Sequence, residues 1–146
     1  WRFNLQTGET SERCLDKVNA EFPSTNPREQ GYPTRYGYAV TIGPIPTLRF
    51  DGIRKYDFAT GKHQEVRFGE GIYGSESPFA PSSQAEKEDD GYLLSFIQDE
   101  TNNRSELWIY DARDLQAGPC ARLAIPHRVP LGFHACWVEG KDLKTA

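Results

Sequence analysis

Apolar and polar residues alternate along this chain in short runs, each closed by a cluster of Gly, Pro, Asn, Asp or Ser. A period of two, with β-branched and aromatic residues at the apolar positions, predicts β-strands. The runs fall at 1–5, 35–42, 49–58, 64–68, 91–98, 105–111, 121–125 and 133–138. Between them stand turn signals: "PSTNP", "GPIP", "ATGK", "DETNNRS" and "DLQAGP". No helical periodicity lasts beyond about two turns. The acidic stretch "SQAEKEDD" comes nearest to a helix and reads as a solvated loop. The expected fold class is all-β.

Three stretches share a pattern: "RFNLQTGET" from Arg2, "KYDFATGKH" from Lys55 and "IYDARDLQA" from Ile109. Their aromatics, Phe3, Tyr56 and Tyr110, are spaced by 53 and 54 residues. Each reads as a strand whose inward aromatic packs on the neighbouring sheet, then a tight polar turn and a return strand. Periods of roughly 40 to 50 residues with about four strands each characterise the blades of a β-propeller. On that spacing 146 residues hold fewer than three blades, whereas closed propellers need about four or more. The absence of Met and the start at Trp1 point the same way. The expectation is one piece, 1–146, of a single propeller domain in a longer protein.

Composition narrows the function classes. Of 146 residues, 37% are hydrophobic, and 21 acids against 17 bases give a net charge of −4 without charge blocks. Nucleic acid, whose phosphates demand a basic footprint, is not an expected partner. No apolar run approaches the roughly 18 residues of a membrane-spanning helix. The three cysteines, Cys14, Cys120 and Cys136, form no C-x-x-C pair and fit free thiols in a reducing compartment.

The candidate chemistry centres on "RVPLGFHACW", Arg128 to Trp137, where His134 sits in an otherwise apolar run. In a strand its ring would point opposite to Phe133 and Ala135. Its bland role is that of a hydrogen-bonded core histidine. Two carboxylates offer it company: Glu21 in "NAEFPSTNP" and Glu76 in "YGSESPFAP". A carboxylate in such apolar, proline-stiffened settings is costly to bury without a partner. A Glu that accepts a proton from a metal-bound imidazole fixes the ring tautomer and raises its basicity. Exposed loop carboxylates are the alternative. His63, after a T-G-K turn, and His127, beside Arg128, read as surface residues. There is no H-E-x-x-H, no G-x-S-x-G, no phosphate-cradling glycine loop and no zinc-spaced Cys/His cluster, so a hydrolase triad has no support.

These elements occur in an order that resembles the C-terminal third of the carotenoid cleavage oxygenases, a family that includes apocarotenoid and lignostilbene dioxygenases and the retinoid isomerase of the eye. "EFP" at Glu21 precedes a G-x-x-x-R-Y-x-Y pattern over Gly31 to Tyr38. Then come "FDGIRKYDFATGK", an E-x-x-F-x-P element over Glu76 to Pro81, "EDDGYLLSFIQDE" and "RVPLGFH". The resemblance implies a seven-bladed propeller, of which this chain would be the last two to three blades, with a helical dome and one Fe(II) on the axis. It implies four ligating histidines, three of them oriented by glutamates, with O2 as co-substrate and a small apolar polyene or stilbene as the molecule cleaved at a double bond. By motif, His134 matches the last ligand and Glu21 and Glu76 two of the glutamates. The other ligands would lie before Trp1, and His63 and His127 match none. The implied compartment is the cytoplasm or a plastid, with peripheral membrane contact through segments outside this chain. The sequence departs from the family at Ser77, where Pro is usual, and at Ala135, where Gly is usual. One imidazole of four predicts that the chain alone is inactive. A non-catalytic propeller remnant serving as a binding or scaffold module is the competing reading.

Overall fold

The computed structural model describes residues 1–44 and 46–143. A small hairpin, β1 (Arg2–Phe3) and β2 (Thr10–Ser11), leads into two antiparallel sheets. The first runs β3 (Ala20–Ser24), β4 (Tyr36–Ile42), β5 (Phe50–Asp57), β6 (Lys62–Arg67), in that spatial order. In the second, β9 (Gly91–Asp99), β10 (Arg104–Asp111) and β11 (Pro119–Ile125) form a meander. The free side of β9 is taken by two short strands, β7 (Ile72–Tyr73) and β8 (Phe79–Pro81). The chain is all-β, and its two sheets are blades of a propeller.

Alternation explains the packing. Tyr38, Ile53 and Phe68 from the first sheet interlock with Phe79, Leu93, Ile97, Trp108 and Tyr110 from the second. Phe68 meets Trp108 edge to face at 6.0 Å, a favoured aromatic geometry. Polar ties cross the same interface. Lys55 donates to Asp89 at 2.7 Å, and Gln64 accepts the Leu115 N–H at 2.9 Å.

The three-unit repeat takes on a sharper meaning here. Tyr110 is fully buried against the first sheet. Tyr56 follows Lys55, whose side chain reaches the second sheet, so by strand alternation Tyr56 lies on the opposite face. Both tyrosines therefore occupy the same face of successive blades. Tyr110 is covered because a blade precedes it, whereas Tyr56 is only half-buried, stacked on Phe58. Phe3 departs from the expected inward aromatic, being 65% exposed.

Other expectations change as well. The strand at 1–5 shrinks to Arg2–Phe3, because the Asn4 carboxamide accepts the Gln6 and Thr7 N–H groups and turns the chain. The run 133–138 is not a strand. It pairs with no strand among the described residues, and Phe133, Trp137 and Val138 are exposed. "SQAEKEDD" forms a loop, in which the Asp90 carboxylate accepts the Glu86 and Lys87 N–H groups. Cys14, Cys120 and Cys136 are all unpaired and exposed.

Several carboxylates are held below the usual range by donors they meet only in the fold: Asp57 by Arg35 and then the Thr60 turn, Asp111 by Arg113, and Asp99 by Asn102. A carboxyl with a lowered folded pKa stabilises the fold at pH values above its unfolded pKa, about 3.9 for Asp, and loses that contribution as pH falls. The melting temperature of the chain is expected to stay level above about pH 5 and to fall steadily below about pH 4, as followed by circular dichroism.

Candidate metal centre

The first sheet ends at β3 and the second at β7 and β8, and the end of β7 reaches the start of β5 in the first sheet. The Gly74 N–H donates to the Phe50 carbonyl at 2.8 Å, joining the sheets beside the loop that carries Glu76. That loop, 74–78, interrupts the edge between β7 and β8, so Glu76 leaves the ladder instead of pairing with β9. Across both edges runs an extended strap, residues 126–139, which brings His134 to Glu76.

The His134 Nδ1 lies 3.2 Å from Glu76 Oε2, and the same oxygen accepts the Ala135 N–H at 2.8 Å. One carboxylate thus holds both the ring and the backbone next to it. Glu76 is mostly covered, with 19% of its side chain exposed, while the His134 ring is 72% exposed. A carboxylate facing Nδ1 favours the tautomer with hydrogen there, which leaves the Nε2 lone pair free and aimed outward.

Aromatic rings wall this imidazole. Phe22 lies 4.7 Å from it and 5.0 Å from Phe133, and Phe22 also touches Phe50 at 5.2 Å. Phe22 reaches this place through a bulge in β3 between Glu21 and Ser24, with φ at +52°, in the left-handed region that L-residues rarely adopt. Bulges re-aim side chains, and strain of this kind persists where surrounding packing holds it.

Glu21 lies opposite Val40 at the edge, exposed, with no side-chain hydrogen bond among the described residues. The structure therefore brings His134 and Glu76 together and leaves Glu21 apart, its neighbour Phe22 making the ring contact. His63 is in β6, opposite Tyr56, and His127 follows β11, each away from the pair. Sequence reasoning missed Phe22 and Gly132. A Cβ at Gly132 would sit 2.8 Å from the Ser75 Cβ, so only glycine lets the strap lie against the Glu76 loop.

An imidazole with Nδ1 held and Nε2 free is a donor suited to Zn, Cu, Ni or Fe. Among the described residues, no cluster of three His, Cys, Asp or Glu side chains could hold an ion without further ligands. No helix among them is long and apolar enough to cross a membrane.

Two blades with an imidazole held by a carboxylate in the loop between β7 and β8 define part of a propeller protein with one candidate metal ligand. The chain belongs to the carotenoid cleavage oxygenases, the family described as retinal pigment epithelial membrane protein, whose family model matches residues 1–139. It is 38% identical to carotenoid 9,10(9',10')-cleavage dioxygenase 1 of Arabidopsis thaliana, matching over 98% of this chain and 28% of that protein. Among solved structures it is similar to Pseudomonas brassicacearum lignostilbene dioxygenase, at 31% identity and a TM-score of 0.78, over 86% of this chain and 28% of that one. A mutant of the Synechocystis apocarotenoid oxygenase matches at 29% identity and a TM-score of 0.80, over 89% of this chain and 28% of that one. The chain thus spans less than a third of the length of these relatives.

Proposed function

We propose that the chain is the C-terminal part of a non-haem Fe(II) dioxygenase that uses O2 to cleave a carbon–carbon double bond of a carotenoid, apocarotenoid or stilbene. In this reading His134 is one of four imidazole ligands, Glu76 holds its Nδ1–H, and Glu21 serves a histidine outside this chain. The observation that carries it is the Nδ1 to Glu76 contact of 3.2 Å, which leaves Nε2 free to ligate a metal. The relatives support it through what their names say they cleave: carotenoids for one, lignostilbenes for another.

The residues present fit the metal. Neutral imidazoles suit ferrous iron, and four of them leave positions open in an octahedron. When bound, the iron supplies activation of O2 for addition to the double bond, which ends as two carbonyl products. This chain's own part is to orient the ligand and to flank it with apolar surface. Glu76 fixes the tautomer of the imidazole that it holds. Phe22 and Phe133 contact the ring and Phe50 backs them both, an apolar flank that accepts a rigid polyene.

The test is a chimera in which this chain replaces the matching segment of the Arabidopsis relative. It is expected to bind about one iron per chain by elemental analysis and to yield paired carbonyl products from a carotenoid or stilbene. Glu76→Gln, which keeps the shape and removes the charge, is expected to lower iron affinity about 10- to 100-fold. The 146-residue chain alone is expected to retain no iron. A folded chimera without iron would sink the proposal.

A further inference from the structure

Five residues before His134, the strap is gripped by two polar side chains that the chemistry above does not use. Gln98 of β9 and Ser105 of β10 stand directly opposite each other, and both are buried. Their nearer neighbours on this sheet face, Leu94, Phe96, Leu107, Ile109 and Leu123, are apolar. A buried polar pair on such a face is costly unless every donor and acceptor is met. Here they are met by one residue of the strap. The Val129 N–H donates to Ser105 Oγ at 2.9 Å, the Ser105 hydroxyl donates to Gln98 Oε1 at 2.9 Å, and Gln98 Nε2 donates to the Val129 carbonyl. The three bonds close a ring in which each residue donates one hydrogen bond and accepts one, so they reinforce one another. They fix both backbone polar groups of Val129 much as a paired strand would.

Strand β9 also positions the carboxylate. The Phe96 N–H donates to Ser75 Oγ at 3.1 Å, and that hydroxyl donates to the Glu76 carbonyl at 2.8 Å. Gly132 then rests on Ser75, with no room for a Cβ between them. One stretch of β9, Phe96 to Gln98, therefore sets the position of the Glu76 loop and the register of the strap.

We infer that Gln98 and Ser105 are positioning residues that place His134 against Glu76 by locking the register of the strap at Val129. The inference deepens the proposed function, since it concerns the same imidazole, but its first readout needs no metal.

The experiment is hydrogen exchange by mass spectrometry, with single-residue fragmentation, on the full chain and its variants. Ser105→Ala and Gln98→Met are expected to speed exchange at Val129 and, six residues on, at Ala135 by about tenfold each, as the loss of one buried hydrogen bond predicts. The β9–β10 ladder at Leu93, Ile97 and Tyr110 should stay protected. Ser105→Thr, which keeps the hydroxyl, should restore both amides. In the iron-loaded chimera, Ser105→Ala is expected to raise the rate of iron release about 10-fold or more with little change in melting temperature. Faster exchange at Val129 with Ala135 unchanged would overturn the inference, as would failure of Ser105→Thr to restore Ala135. If Gln98→Met opens the whole ladder, Ser105→Ala, which deletes one oxygen, decides. A native chimera that holds no iron would defeat the functional reading alone, because the exchange result is obtained without metal.

Discussion

In the chimera, His134→Ala is expected to abolish iron retention and bring cleavage to background while leaving the fold almost untouched. Both halves follow from the same geometry. The ring is 72% exposed, and its polar contact among the described residues is a single carboxylate, so its removal creates no sealed cavity. Glu76 keeps the Ala135 N–H at 2.8 Å, so the loop carboxylate is not left bare. The melting temperature should shift by no more than about 2 °C, in line with substitutions away from the core. Iron affinity should fall by more than the 10- to 100-fold typical of losing a group that merely orients a ligand, because a ligand itself is lost. Elemental analysis after desalting and quantification of both carbonyl products check this. The histidines outside the site supply controls: His63→Ala and His127→Ala should leave iron and turnover at parent levels. An alanine variant at His134 that keeps its iron would remove this residue from the coordination sphere.

The parts of this architecture that are legible in the sequence are those whose physics is local. Strands β4, β5, β6, β9, β10 and β11 announce themselves because each has one face on the core and alternates accordingly. Strands β3, β7 and β8 do not. They are short edges carrying Pro23 and Pro81, and their role is to present Glu21 and the Glu76 loop. The run at 133–138 misleads for the opposite reason: its apolar residues look like a strand, yet Phe133 serves an aromatic cluster around His134 and the backbone is held by side chains. The need of Glu76 for a nearby donor can be read from its apolar, proline-rich setting. The ring of bonds at Val129 cannot, since Gln98, Ser105 and Val129 share no sequence pattern and meet only when β9, β10 and the strap assemble. A bulge at Phe22 is equally silent, because nothing in "EFP" marks a left-handed residue.

Lys55→Met is expected to destabilise the chain by about 3 to 5 kcal/mol, the typical cost of stripping one partner from a buried ion pair. Lys55 is buried between the sheets, where its ammonium meets Asp89 at 2.7 Å and the Arg113 carbonyl at 3.4 Å, and lies 4.2 Å from the centre of the Tyr36 ring. Methionine fills similar volume, so the loss is electrostatic and not a cavity: the Asp89 carboxylate, with 12% of its side chain exposed, is left without its cation. At about 2 to 4 °C per kcal/mol for a chain of this size, the melting temperature should drop by roughly 10 °C. The double variant Lys55→Met/Asp89→Leu should recover most of that, because two desolvated charges and their attraction nearly cancel. Calorimetry at pH 7 on the four members of this cycle measures the coupling directly. A loss below about 1 kcal/mol for the single variant would mean that water screens the pair as it does at an open surface. The apolar core of Ile53, Leu93, Ile97 and Tyr110 would then carry most of the contact between the blades.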